Sequence, residues 1–157
     1  MEIKNTTASL DKVGKLLADS LKATMRQDDT YATGATDKSI THQTQLRRVK
    51  VVGSNAVFEI DEGRRPGAKR PSNYAIERWA KAKGLRPMYK GGIKNMARII
   101  ANSIAEKGTI ARFNYKGTNV LDRIIKENTN EVEEIVLDGF VSDIQAYFDK
   151  LPSQITI

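Results

Sequence analysis

Residues 58–85 read FEIDEGRRPGAKRPSNYAIERWAKAKGL, and the parsing of this stretch decides the fold on either side of it. Phe58-Glu59-Ile60 alternates apolar and acidic side chains, the pattern expected at the end of a half-buried strand. Asp61 to Arg70 is a loop, opened by Gly63, Pro66 and Gly67 and carrying Arg64, Arg65, Lys69 and Arg70. Pro71-Ser72-Asn73 starts a helix, with Ser72 or Asn73 able to cap its free amides. Ile76, Trp79 and Ala80 fall three and four residues apart on one face of that helix. Gly84 stops it in a left-handed cap, and Leu85 folds back over the last turn. Trp79 and Ile76 are expected in the core, against a sheet or a preceding helix.

Upstream, residues 41–61 read as a β-hairpin. Thr41 to Val51 alternates loosely with threonine and valine, Gly53-Ser54-Asn55 is the turn, and Ala56 to Ile60 is the return strand. Before it, Thr36 or Asp37 begins a single helical turn ending near Ile40. A first helix runs from a cap at Thr7 or Ser9 to about Gln27, with Leu10, Val13, Leu17, Leu21 and Met25 as its apolar stripe. Gly14 interrupts that helix at a cost of about 1 kcal/mol relative to alanine.

Downstream, Arg86 to Gly92 is a loop and Ile93 to Lys107 a helix ended by Gly108. Thr109 to Phe113 suits a short extended piece. Asn119 opens helical spacing that continues to Leu151, where Pro152 stops it. Asn130 with Glu133 resembles a capping box, so Asn128-Thr129-Asn130 divides two helices; a single bent helix is the alternative. The fold class expected is α+β: a small antiparallel sheet built on the hairpin, an N-terminal helix, two central helices and a long C-terminal helical arm. Residues 1–157 form one domain, with 129–157 as a helical extension.

Composition narrows the chemistry. The 157 residues hold no cysteine and one histidine, which removes thiolate catalysis, disulfides and cysteine-based zinc sites. No apolar run approaches the roughly 20 residues of a membrane span, and the polar start MEIKNTTASLDK has no signal-peptide pattern. His42, on a polar strand with no acidic cluster beside it in sequence, reads as an ordinary surface residue. Asp61 and Glu62 with Lys69 could be imagined as a metal-dependent nuclease site, but acids at such a turn more often serve solubility. No enzyme, cofactor or metal is expected.

Charge is strongly polarised. Residues 63–98 hold eleven Lys and Arg against the single acid Glu77, whereas residues 119–157 hold eight acids and three bases. Such blocks suit an anionic partner or attraction between copies of one chain. No nucleic-acid-binding signature accompanies the bases, so any DNA contact would be to the backbone, without sequence reading.

The order of these features resembles the head–tail joining, or tail-completion, proteins of tailed double-stranded DNA bacteriophages. Three motifs carry the resemblance beside the alanine-rich helix that ends in Lys107-Gly108-Thr109. They are Thr33, Gly34, Ser39 and Ile40 before the hairpin; Glu62, Gly63, Arg65 and Pro66 after it; and Trp79, Lys83, Gly84 and Leu85 on the next helix. The resemblance spans roughly residues 10–125; the family has Leu where this chain has Thr36, and residues 129–157 extend beyond it. It implies a non-enzymatic virion protein at the neck or upper tail, made in the bacterial cytoplasm. It would form a ring with other copies, between portal or connector and tail proteins and around the packaged DNA, with no membrane. The alternative is a small basic DNA-binding protein that ignores sequence. Arg64, Arg65, Lys69 and Arg70 are the expected interface, to protein or to DNA backbone. Docking on protein is favoured, because the glycines and Pro66 restrict the loop and arginine pairs well with carboxylates.

Overall fold

A computed structural model of the chain describes residues 3–30, 33–87, 91–109 and 116–151. Among them are six helices and one two-stranded sheet: α1 Lys4–Gln27, α2 Ala35–Ser39, β1 Thr41–Gln45, β2 Arg48–Val52, α3 Ala56–Glu62, α4 Asn73–Ala82, α5 Gly92–Lys107 and α6 Val120–Phe148. The architecture is α+β, with an N-terminal helix and a long C-terminal helix, as the sequence leads one to expect. Residues 110–113 of the expected extended piece and the tail from Pro152 lie outside the described residues. The chain falls into two compact units: Met1–Lys22, Ile40–Val52 and Asp122–Ile157 in the first, Ala23–Ser39 and Gly53–Leu121 in the second. Residues 129–148 fall in the first of these units.

In the first unit the hairpin packs on α1. β1 and β2 are antiparallel, with His42 opposite Val51 and Thr44 opposite Val49. These four are half-buried and alternate with exposed positions as a one-sided sheet requires, until Val52, half-buried as well, ends the alternation. Gly14 makes the approach possible: a Cβ there would lie 2.5 Å from Val49 Cγ2 and 2.8 Å from His42 Cδ2. The glycine that weakens the helix locally is thus what admits the hairpin. Gly14→Ala gains about 1 kcal/mol of helix propensity but forces an overpacked contact that costs roughly 1–3 kcal/mol. A net loss of about 1 kcal/mol is expected in urea denaturation, and a gain would show that the hairpin yields freely.

The hairpin turns at Leu46-Arg47, because Gln45 pairs with Arg48, and not at Gly53-Ser54-Asn55. The expected return strand is instead the helix α3. Burial shows the period: Val57 is 4% exposed and Phe58 56%, the reverse of what a strand with Phe58 inward demands. Five residues are too few to separate a period of 2 from one of 3.6, and the Ser54 and Asn55 carbonyls accept from the Val57 and Glu59 amides to start a helix.

α1 begins at Lys4, earlier than its expected caps. Its first amides are satisfied from a distance: Asp143 on α6 accepts from the backbone of Asn5 at 2.9 Å and of Thr6 at 2.7 Å, a carboxylate where the helix dipole favours one. Thr7 bonds back to the Ile3 carbonyl and on to that of Leu46. α6 lies close here, since a Cβ on Gly139 would meet Ser9 Cβ and the Asn5 carbonyl oxygen, each at 2.8 Å.

α6 is continuous through Asn128-Thr129-Asn130. Asn128 Nδ2 donates to the Ile124 carbonyl and Thr129 Oγ1 to that of Ile125, so these side chains bond to their own helix instead of capping a new one. Asn128 Oδ1 also accepts from Ser20 on α1.

Two carboxyls of this unit are held below their ordinary range. Thr44 and His42 donate to Asp11; at Asp143 burial pushes upward, and the bonds from Thr6 and Asn5 outweigh it. A carboxyl lowered by folding adds stability above its unfolded value, and that stability is lost as pH falls through the folded one. The melting temperature should therefore drop below about pH 4, and Asp143→Asn should flatten the drop. An acid limb of unchanged steepness in that variant would remove Asp143 from the account.

Candidate functional site

The basic block lies in the second unit, and its loop is built on the end of α5. Gly63 ends α3 at φ 76°, and the chain then runs back beside residues 104–109. The Arg64 amide donates to Thr109 Oγ1 at 2.8 Å, the Thr109 amide to the Arg64 carbonyl at 2.9 Å, and the Gly67 amide to Ala105 at 2.8 Å. At the other end, Asp61 Oδ1 accepts from the Leu121 amide at 3.0 Å and caps α6. One member of the imagined metal pair is thus already engaged. Among the described residues, no group of three or more His, Cys, Asp or Glu could hold a metal ion.

The four bases of the loop do different things. Arg64 does not project: its side chain is 14% exposed, pairs with Glu59 at 2.9 Å and donates to the Lys69 carbonyl, while its Nε is buried without a partner. This departs from the expectation that its side chain projects from the loop. The loop returns on itself, and a guanidinium under the return holds it there through several bonds at once. Arg70 reaches Asn102 Oδ1 at 2.6 Å and Asn73 Oδ1 at 2.5 Å from an exposed position. Arg65 and Lys69 are exposed and remain the loop's outward bases.

α4 starts and stops as its sequence predicts. Ser72 Oγ accepts from the Ala75 amide at 3.1 Å. At the far end the Leu85 amide reaches the Ala80 carbonyl and the Gly84 amide that of Lys81, with Gly84 at φ 65°, the bond pair of a Schellman motif. Lys83 is committed as well, since its ammonium meets the Asp29 carbonyl and carboxylate at 2.7 and 2.8 Å. Lys81 pairs with Glu77 one turn back at 2.7 Å and holds the Glu77 carboxyl below its usual range. Arg78 lies over the Tyr74 ring at 5.7 Å.

Trp79 is not core. It is 39% exposed, whereas Ala80 is fully buried and Ile76 half-buried. The inner face of α4 is the Ile76–Ala80 row; α4 packs on α5, whose small Ala97 and Ala101 are fully buried. A Trp one step round the helix is left at the edge.

What the sequence does not flag is the use of Asp61 and Asp143 as caps for helices remote in the chain. Neither lies beside the start of its helix in sequence, so no local pattern marks it. A further surface, also unremarked, is the outer face of α6, where Leu137, Phe140 and Phe148 stand 61, 46 and 62% exposed. No described helix is long and apolar enough to cross a membrane. Compared with models of protein families, with curated proteins and with solved structures, the chain matches none.

Proposed function

We propose that this chain is a structural protein of a tailed bacteriophage particle, one copy of a ring at the neck or upper tail that joins the DNA-filled head to the tail. The observation that supports it most is where the motif residues of the resemblance stand. Each group includes at least one residue at a turn, a cap or a buried position. Gly34 is buried at φ 72°, Ser39 Oγ accepts from the Ser54 amide at 3.0 Å, and Ile40 is 1% exposed. Gly63 and Gly84 both take positive φ at helix ends. Residues that set turns constrain a fold more than residues of free surfaces do.

In this reading the chain has no catalytic role, and Arg65, Lys69 and Arg70 meet acidic protein surface around the DNA path. The portal or connector on one side and tail proteins on the other are its neighbours. The test is a phage in which this gene is interrupted. DNA-filled heads and free tails should accumulate unjoined, and particles of normal form and yield would overturn the proposal.

The dense block of bases keeps a second reading in play, a sequence-independent DNA binder. Binding to duplex DNA at two salt concentrations separates them: tight binding that falls steeply with salt belongs to the DNA binder. The ring protein should bind DNA weakly at both.

A further inference from the structure

Two of the exposed faces that carry large apolar side chains have charges of opposite sign around them. On α6, Leu137, Phe140, Ile144 and Tyr147 recur at three and four residues, the spacing of a seam that another helix covers. Val132, Glu133, Val136, Leu137 and Phe140 line an open hollow of about 480 Å³. Glu131, Glu133, Glu134 and Asp138, all exposed, surround it. On α4, the row Ala75, Arg78, Trp79 and Ala82 is exposed throughout, and Arg86 follows in the same state. Here a large ring stands between two small residues, with bases on either side.

We propose that the α6 hollow of one copy receives the Trp79 face of α4 from the next copy. The inference rests on the ring reading above and names the two faces of that ring. Trp79 supplies an apolar body for the hollow and an N–H that Glu133 on its rim can accept. Ala75 and Ala82 leave room for the α6 backbone to approach, and Arg78 and Arg86 come to Glu134 and Asp138. Charge argues against α6 covering itself. Parallel pairing would set the same acids side by side, and antiparallel pairing would set them against Tyr147 to Leu151, where Lys150 is balanced by Asp149. The contact is therefore between unlike faces. Every copy keeps one of each, and assembly continues until it closes or runs on as a filament.

Two variants of the full chain test this, Trp79→Asp and Phe140→Asp, each altering one exposed position and checked for folding by circular dichroism. Wild type should sediment as oligomers larger than two at high concentration. Each variant alone should stay monomeric, and an equal mixture should give a dimer of one of each and stop there. The chain has one tryptophan, so Trp79→Asp is dark, and emission of the Phe140→Asp variant should shift blue when the dark variant is added. Self-association of Trp79→Asp would show α6 pairing with itself and overturn the proposal. A mixture that stays monomeric while wild type assembles would discard these two faces and leave the ring. A wild type monomeric to its solubility limit discards the faces too, and the interrupted-gene experiment then decides the ring separately.

Discussion

Gly108→Ala should lower the stability of the protein by roughly 3–5 kcal/mol, while Gly84→Ala, a substitution of the same kind, should lower it by only about 1–2 kcal/mol. Both glycines end a helix at φ 65°, so both substitutions carry backbone strain, and Gly108, at ψ −171°, lies in a region that only glycine adopts readily. They differ also in what surrounds them. Nothing lies within 4 Å of a Cβ at Gly84. At Gly108 a Cβ would fall inside contact distance of the Arg64 carbonyl oxygen and 2.8 Å from Arg65 C and Pro66 N, all of them backbone. Backbone cannot rotate away as a side chain can. Relief requires the loop to leave α5, which breaks the pair of bonds between Arg64 and Thr109, each worth about 1 kcal/mol. Urea denaturation of the two variants beside wild type measures the difference. Equal losses would mean that the loop is not seated on α5.

That contrast also shows what a sequence can and cannot disclose. Gly84 and Gly108 are both legible as helix stops, since each follows a periodic segment and precedes a break. The close approach at Gly108 is not, because its partner lies 44 residues away in sequence numbering. The same division runs through the molecule. α1, α4 and α5 are readable from their stripes, and Ser72 from its place ahead of one, because those signals are local. The hairpin turn was not readable. Leu46-Arg47 contains no residue that favours positive φ, while Gly53-Ser54-Asn55 advertises a turn that serves as the start of α3. Asn128 and Thr129 are ambiguous for a related reason: the side chains that can cap a new helix can also bond the carbonyl four residues back. Spacing groups Trp79 with Ile76 and Ala80, but the inward row is Ile76–Ala80 and Trp79 stands on the exposed row with Ala75 and Ala82. Spacing alone does not mark where a buried stripe ends.

The four bases of the loop divide the same way, and their substitution should give opposite results. Arg64→Glu sets a second carboxylate against Glu59 and removes the bond to the Lys69 carbonyl. Glu59 is 47% exposed on its side chain, so water moderates the repulsion, and a loss of about 2–3 kcal/mol is expected rather than the larger figure of a fully buried pair. The double variant Arg65→Glu, Lys69→Glu changes two exposed side chains and should stay within about 0.5 kcal/mol of wild type. Its effect belongs to assembly. If the outward bases meet acidic protein around the DNA path, as proposed, reversing both turns attraction into repulsion at every copy of a ring, so the deficit repeats around it. Virions should then stop at filled heads and free tails although the protein is folded and abundant. A stability like wild type's in Arg64→Glu would show that the buried guanidinium holds nothing. Normal yields of infectious particles from the Arg65 and Lys69 double variant would show that the loop's outward face meets no partner.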